Sequence, residues 1–250
     1  MKQHGIAVNQ TMPTLILSPR FTEDSQTLWR TAIQLGWDVE RLTSWRVGDR
    51  FLSLPEPVFY LEALMAENIA EQFGRKLLQL PANWLPQLPE EYRQRWVYLT
   101  TLAEAKMLKK PAFVKPPNDK SFPARVYSSS DLPDEFASET PVLIAEIVRW
   151  EKEFRCFILD RELRTFSIYL RDGELQRETG FQHSDREEIE LRQFVTKFLS
   201  DSRVNLPDAA CLDVGIIRDR GWAIVEQNAV WGSGIYGCDP VEVLRVLTPN

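Results

Sequence analysis

A chain of 250 residues, 44% hydrophobic and 26% charged, has enough apolar surface for a sizeable core, in one large domain or two small ones. Its formal net charge of -6 argues against a general nucleic-acid or membrane-surface binder, since both need a cationic face. No apolar run reaches the ~18 residues of a membrane span, the start MKQHGIAVNQ lacks the apolar core of a secretion signal, and Cys156, Cys211 and Cys238 are odd in number and widely spaced, so they read as reduced thiols of a cytoplasmic protein.

In chain order, Thr14 to Leu17 is a short apolar strand. Residues 23 to 35 carry Leu28, Trp29, Ala32, Ile33 and Leu35 at helical spacing, and Gly36 stops that helix. Trp37 to Leu42 and Val58 to Tyr60 read as strands, with a helix from Leu61 to Phe73 closed by Gly74. Lys76 to Leu80 reads as a fourth strand. This β-α-β rhythm predicts a small parallel α/β unit. A proline- and tryptophan-rich stretch, Pro81 to Pro89, leads into a helix expected from Glu90 to Lys109, and Lys110-Pro111 marks a soft domain boundary.

Past that boundary the pattern changes. Ala112 to Lys115 is a strand, Asn118 to Ala124 a loop, and Arg125 to Ser128 a returning strand. Pro141 to Val148 is a strongly apolar strand. Glu153 to Asp160 and Arg164 to Leu170 form a hairpin, and Arg186 to Ser200 a helix. Cys211 to Arg218 and Trp222 to Gln227 form another hairpin about the turn Asp219-Arg220-Gly221, and Pro240 to Leu247 is a short helix. The expected fold is therefore an α/β N-terminal unit, residues 1–110, followed by an α+β domain with antiparallel strands, residues 111–250.

Chemistry concentrates in the second half. The strand ending Glu226-Gln227-Asn228 puts Glu226 and Asn228 on one face beside Ile224, and the hairpin lets Asp213 reach the same face. Three oxygen donors of this kind suit Mg²⁺, although a plain polar strand face has the same pattern. Lys115 ends a strand and Lys120 lies in the following loop, as two phosphate-gripping ammonium groups or two solvated lysines. Glu146 interrupts an apolar run, and a buried carboxylate needs a partner. Glu153 and Arg155 share a face, as a ribose and phosphate contact or as a structural ion pair. His4 and His183 are the only two histidines, which leaves little room for a His-based metal site or a Ser-His-Asp triad. Gly232 to Gly237 fits the dinucleotide-binding glycine pattern, but too little chain follows for the required helix, strand and ribose acid. It reads instead as a loop beside the metal site.

The order of these signals resembles the ATP-grasp superfamily over residues 111 to 237, and more narrowly its clade named for one arginine and two lysines. The resemblance implies an ATP-grasp domain with ATP and Mg²⁺ as cofactors. Asp213, Glu226 and Asn228 match its magnesium ligands. Lys115 and Lys120 match its phosphate-side lysines, and Arg155 the arginine facing the terminal phosphates, with Arg155 and Lys120 carrying the catalysis. Glu146, Ile147 and Val148 match the adenine hinge, and Glu153 the acid near the ribose. Phe113 and Ile224 are added by alternation as apolar walls of the base pocket. The phosphate loop departs from many family members in having no glycine between Pro116 and Phe122. The implied activity is that of a ligase joining a carboxylate to an amine through an acyl phosphate, with a peptide or protein terminus among the candidate substrates. An ATP-dependent phosphotransferase and a non-catalytic nucleotide-binding module are the alternatives.

Overall fold

A computed structural model describes residues 12–54 and 56–248. The stretch read for a secretion signal and His4 lie outside these residues. The chain folds as two compact units, one ending at Leu77 and the other beginning at Leu78.

The first unit is a three-stranded parallel sheet, β1 (Thr14–Leu17), β2 (Asp38–Arg41) and β3 (Pro57–Tyr60), in the order β2-β1-β3. The central strand β1 is fully buried, as a parallel strand covered on both faces must be. Helix α1 (Glu23–Gln34) starts at a capping box, in which the Thr22 side chain accepts from Ser25 N and Ser25 accepts from Thr22 N. It stops where Gly36 adopts φ +78°. Two more helices follow, α2 (Asp49–Leu52) and α3 (Ala63–Gln72). The parallel α/β arrangement is the expected one. Lys76 to Leu80 is not a strand; these residues run without regular structure.

The second unit opens with two single-turn helices, α4 (Trp84–Gln87) and α5 (Glu90–Arg93). The long helix expected over Glu90 to Lys109 is replaced by α5, strand β4 (Val97–Thr101) and helix α6 (Leu102–Ala105). Gln94 takes a left-handed conformation, φ +52°, and ends the helix after one turn. Val97-Tyr98-Leu99-Thr100-Thr101 is rich in aromatic and β-branched side chains and pairs with Pro141–Ala145, so strand propensity and partner together override the apparent helical spacing. The units accordingly divide at Leu77/Leu78 rather than near residue 110. Trp84, Leu85, Tyr92 and Val97 belong to the hydrophobic core of the second unit.

That unit contains two antiparallel sheets. One has the order β4-β7-β5-β6, built from β5 (Ala112–Lys115), β6 (Arg125–Tyr127) and β7 (Pro141–Ala145) with β4 at its edge. The other has the order β10-β9-β8-β11-β12, built from β8 (Trp150–Leu159), β9 (Glu162–Arg171), β10 (Glu174–Leu175), β11 (Ala209–Ile217) and β12 (Gly221–Asn228). Helix α7 (Asp185–Ser200) carries Leu191, Val195 and Phe198 into one core with Phe154, Cys156, Ile158, Leu212 and Val214. Burial of that apolar face supplies the main stabilisation, at roughly 25 cal/mol per Å² removed from water. Helix α8 (Pro240–Leu247), capped by Asp239, packs against β8 and β9. Among the described residues no helix is long and apolar enough to cross a membrane.

Candidate functional site

Three neighbouring strands set the site by register. Arg155 on β8 is paired with Asp213 on β11, and Asp213 with Glu226 on β12. The Arg155 guanidinium forks onto Asp213, Nε donating to Oδ1 at 2.7 Å and Nη2 to Oδ2 at 2.9 Å. Its Nη1 donates to the Gly234 carbonyl at 2.9 Å. Asn228 Nδ2 donates to Asp213 Oδ2 at 3.1 Å, which leaves the Asn228 amide oxygen for another partner. Lys115, from the end of β5 in the other sheet, pairs with Glu226 and ties the two sheets together. The structure thus brings Lys115, Arg155, Asp213, Glu226 and Asn228 into one cluster.

The charges are held by each other. Burial alone would lower the Arg155 pKa, but the charge and hydrogen bonds of Asp213 outweigh it and hold the guanidinium well above its ordinary value. Burial pushes Glu226 up, yet Lys115 outweighs burial and keeps its carboxylate below the usual range. Glu153 forms no ion pair among the described residues, and the charge of Arg95, which lowers its pKa, is outweighed. Burial pushes it up to about 7, against a hydrogen bond from Tyr169 that lowers it, and the charges of Asp213 and Glu226 raise it further.

A bulge shapes β12. The pairing jumps from Asp213↔Glu226 to Val214↔Ile224, so Val225 is an extra residue. Ile224 is therefore not beside Glu226, as strict alternation implies. It is wholly buried in the core with Val214 and Phe154 and forms no wall of a pocket on the Glu226 side. Phe113 is paired with Ala145 and packs, partly buried, against the same core.

Glu146 finds its partner elsewhere than the acid cluster. Its two oxygens accept from Arg220, at 2.9 Å from Nη1 and 2.6 Å from Nη2, in the β11–β12 turn. Its N–H donates to the Trp96 carbonyl at 3.1 Å. Ile147 and Val148 follow in an irregular link between β7 and β8, with Ile147 exposed. Lys120 is exposed in the loop after β5 and is not drawn into the cluster; buried Phe122 anchors that loop.

Sequence reasoning missed several members of the site. Tyr169 Oη lies 3.1 Å from Glu153 Oε2 and 3.3 Å from Asp213 Oδ2, and can donate to one at a time. Its ring stacks on Tyr236 at 4.8 Å, and the Arg155 guanidinium lies 5.0 Å from the Tyr236 centroid. The register of β8 on β9 sets Leu170 across from Glu153 and Ile168 across from Phe154, so Tyr169 is the extra residue of a bulge, which alternation does not reveal. The loop Gly232 to Gly237 lies against the cluster through the Gly234 carbonyl and Tyr236. Gln227 lines a cleft with Trp84, Leu143, Lys115 and Glu226, and its amide nitrogen and oxygen are buried without a protein partner among the described residues.

Two carboxylates and an amide oxygen are hard donors of the kind that suits Mg²⁺. Both Asp213 oxygens already accept from Arg155, so a cation would fall first to Glu226 and Asn228, which are half-buried. Among the described residues no cluster of three His, Cys, Asp or Glu side chains stands ready as a cage. The donor set therefore fits a cation that arrives with phosphate oxygens to complete its shell.

Two antiparallel sheets joined through Lys115 and Glu226, with the acids on one terminal hairpin, make up the ATP-grasp fold. Residues 92–246 match the model of the ATP-grasp domain, R2K clade family 2, and the chain belongs to that family. The fold is shared with D-cycloserine synthetase DcsG, at a TM-score of 0.62, 12% identity and coverage of 95% of this chain and 99% of that one. D-alanine–D-alanine ligase from Bacillus anthracis aligns at a TM-score of 0.55 and 14% identity, over 95% of this chain and 96% of that one. The ATP-grasp ligase PsnB, solved with a phosphomimetic variant of its minimal precursor, Mg and ADP, aligns at 0.52 and 14% identity, over 95% and 97%. No curated protein matches the chain in sequence.

Proposed function

We propose that this protein binds ATP with Mg²⁺ and joins a carboxylate to an amine through an acyl phosphate. The observation that carries the reading is the cluster of Lys115, Arg155, Asp213, Glu226 and Asn228, gathered from both sheets of an ATP-grasp domain. Glu226 and Asn228, with Asp213 behind them, would hold Mg²⁺, which neutralises phosphate charge when bound. Lys115 and Arg155 supply fixed positive charge to the phosphates, and Lys120 adds a mobile one from its loop. The irregular link Glu146-Ile147-Val148 offers backbone groups to an adenine edge, Phe113 a wall of the base pocket, and Glu153 a carboxyl for the ribose.

No nucleophile-and-base pair is needed for this chemistry. The substrate carboxylate oxygen attacks the terminal phosphorus and ADP leaves. The substrate amine then attacks the acyl carbon and phosphate leaves. The chain contributes positioning and charge. Structures with this fold include a D-alanine–D-alanine ligase and a ligase solved with its minimal precursor, which supports an amino acid, free or at a peptide terminus, as the substrate class to test. The test is hydroxylamine trapping with ATP, Mg²⁺ and a panel of amino acids and peptides. A hydroxamate formed in step with ADP supports ligation. A stable phosphoester as sole product shows a phosphotransferase instead, and no ADP with any substrate leaves a nucleotide-binding module.

A further inference from the structure

Arg95 precedes β4 and is only 8% exposed. A buried guanidinium is tolerated when its donors are met. Here the partners are backbone carbonyls. Nη1 donates to Arg93 O at 3.0 Å and to Ile224 O at 2.9 Å, and Nη2 donates to Val225 O at 3.0 Å. The guanidinium carbon lies 4.9 Å from the Trp150 ring centroid. Trp150 in turn covers Gly215, where a Cβ would come within 2.7 Å of the indole.

The two carbonyls that Arg95 holds at β12 are those of the bulge. Strand β12 is the last of its sheet, so its outer edge has no strand to pair with. The extra residue Val225 lets Ile224 and Trp222 stay on the core side, paired with Val214 and Ile216, while Glu226 stands across from Asp213. A strand of strict alternation would put Ile224 and Glu226 on one face, and one of the two would be misplaced. The bulge is thus what aims Glu226, and Arg95 satisfies the carbonyls that the bulge leaves at the open edge.

We propose that Arg95 is the positioning residue for Glu226: its fork holds the Ile224 and Val225 carbonyls, fixes the bulge, and so directs Glu226 toward Asp213 and Lys115. The inference rests on the reading of Glu226 as a magnesium ligand. Arg95 acts through the backbone of β12, and the planar fork matters because an ammonium cannot span two carbonyls in a fixed geometry.

The test uses the full chain and three measurements on Arg95→Met and Arg95→Lys. ADP binding is measured by calorimetry with Mg²⁺ and again in EDTA, and amide exchange is followed along β12. Arg95→Met keeps the stem against Trp150 and removes the donors. It should weaken Mg²⁺-ADP binding about tenfold or more while metal-free ADP binding stays within about twofold, as loss of a group that orients a metal ligand does. Arg95→Lys should fall between, and exchange at Val225 to Gln227 should speed up in both. Equal weakening with and without Mg²⁺, no weakening at all, or unchanged exchange in β12 overturns the proposal. If the wild type itself binds no Mg²⁺-ADP, the nucleotide reading fails, and exchange alone decides for or against the positioning. If Arg95→Met does not fold, Arg95→Lys carries the same comparison.

Discussion

Arg155 grips Asp213 in a two-bond fork while Arg155 is 6% and Asp213 1% exposed, so each buried charge depends on the other. Removing one partner strands the other. Asp213→Asn and Arg155→Met should each destabilise the fold by about 3–5 kcal/mol, and the double variant should cost clearly less than the sum. Denaturant unfolding of the four proteins gives the coupling. Additive losses would show that the pair is not a unit.

Glu226 stands differently. Its carboxylate is half-buried and faces Lys115, not the core. Glu226→Gln keeps a hydrogen-bond acceptor for Lys115 but removes the charge a cation would bind. Affinity for ADP with Mg²⁺ should drop by about one to two orders of magnitude, with unfolding shifted by no more than ~1 kcal/mol. Calorimetry and a melt on the same sample check both halves; unchanged Mg²⁺-ADP affinity removes Glu226 from the metal set.

Local signals carried most of the fold. The strand at Thr14–Leu17 and the helix at Pro240–Leu247 lie where apolar runs, caps and a first-turn proline put them. The exception, Glu90 to Lys109, failed because its strand exists through pairing with β7, a partner over forty residues on. The site divides in the same way. Hairpin geometry brought Asp213, Glu226 and Asn228 within reach of one another, and alternation paired Glu153 with Arg155. The bulge at Val225 is invisible to alternation, which is why Ile224 was put on the wrong face. Arg95 was hidden inside an expected helix, and the Arg220 partner of Glu146 comes from a turn that nothing local links to it.

Lys120 offers a separation of binding from folding. It is exposed in its loop, so Lys120→Ala should change stability by less than ~0.5 kcal/mol. If it contributes charge to the phosphates, ATP affinity should fall while adenosine affinity holds, because only ATP loses a partner. Competition binding with both ligands reads this directly, and parallel losses would make Lys120 a structural residue of the loop.

Glu153 carries a pH signature in stability. Burial, with the charges of Asp213 and Glu226, pushes its carboxyl up to about 7. A group whose pKa is raised by folding favours the native state when neutral. Its contribution is complete below the ordinary carboxylate range and is lost as pH rises through about 7. The span between the two values is worth at most about 3–4 kcal/mol. Glu153→Gln stays neutral throughout and keeps an oxygen to accept from Tyr169 Oη, which lies 3.1 Å from the native carboxylate. The variant should therefore gain on the wild type as pH is raised from about 4 to about 8, most steeply between the ordinary carboxylate range and the folded-state value. Urea unfolding of both proteins across that range measures the difference, in which titrating groups that do not interact with Glu153 cancel. A difference that stays flat with pH would mean that Glu153 is ionised in the fold at neutral pH and is held by a cation, and that burial does not govern it.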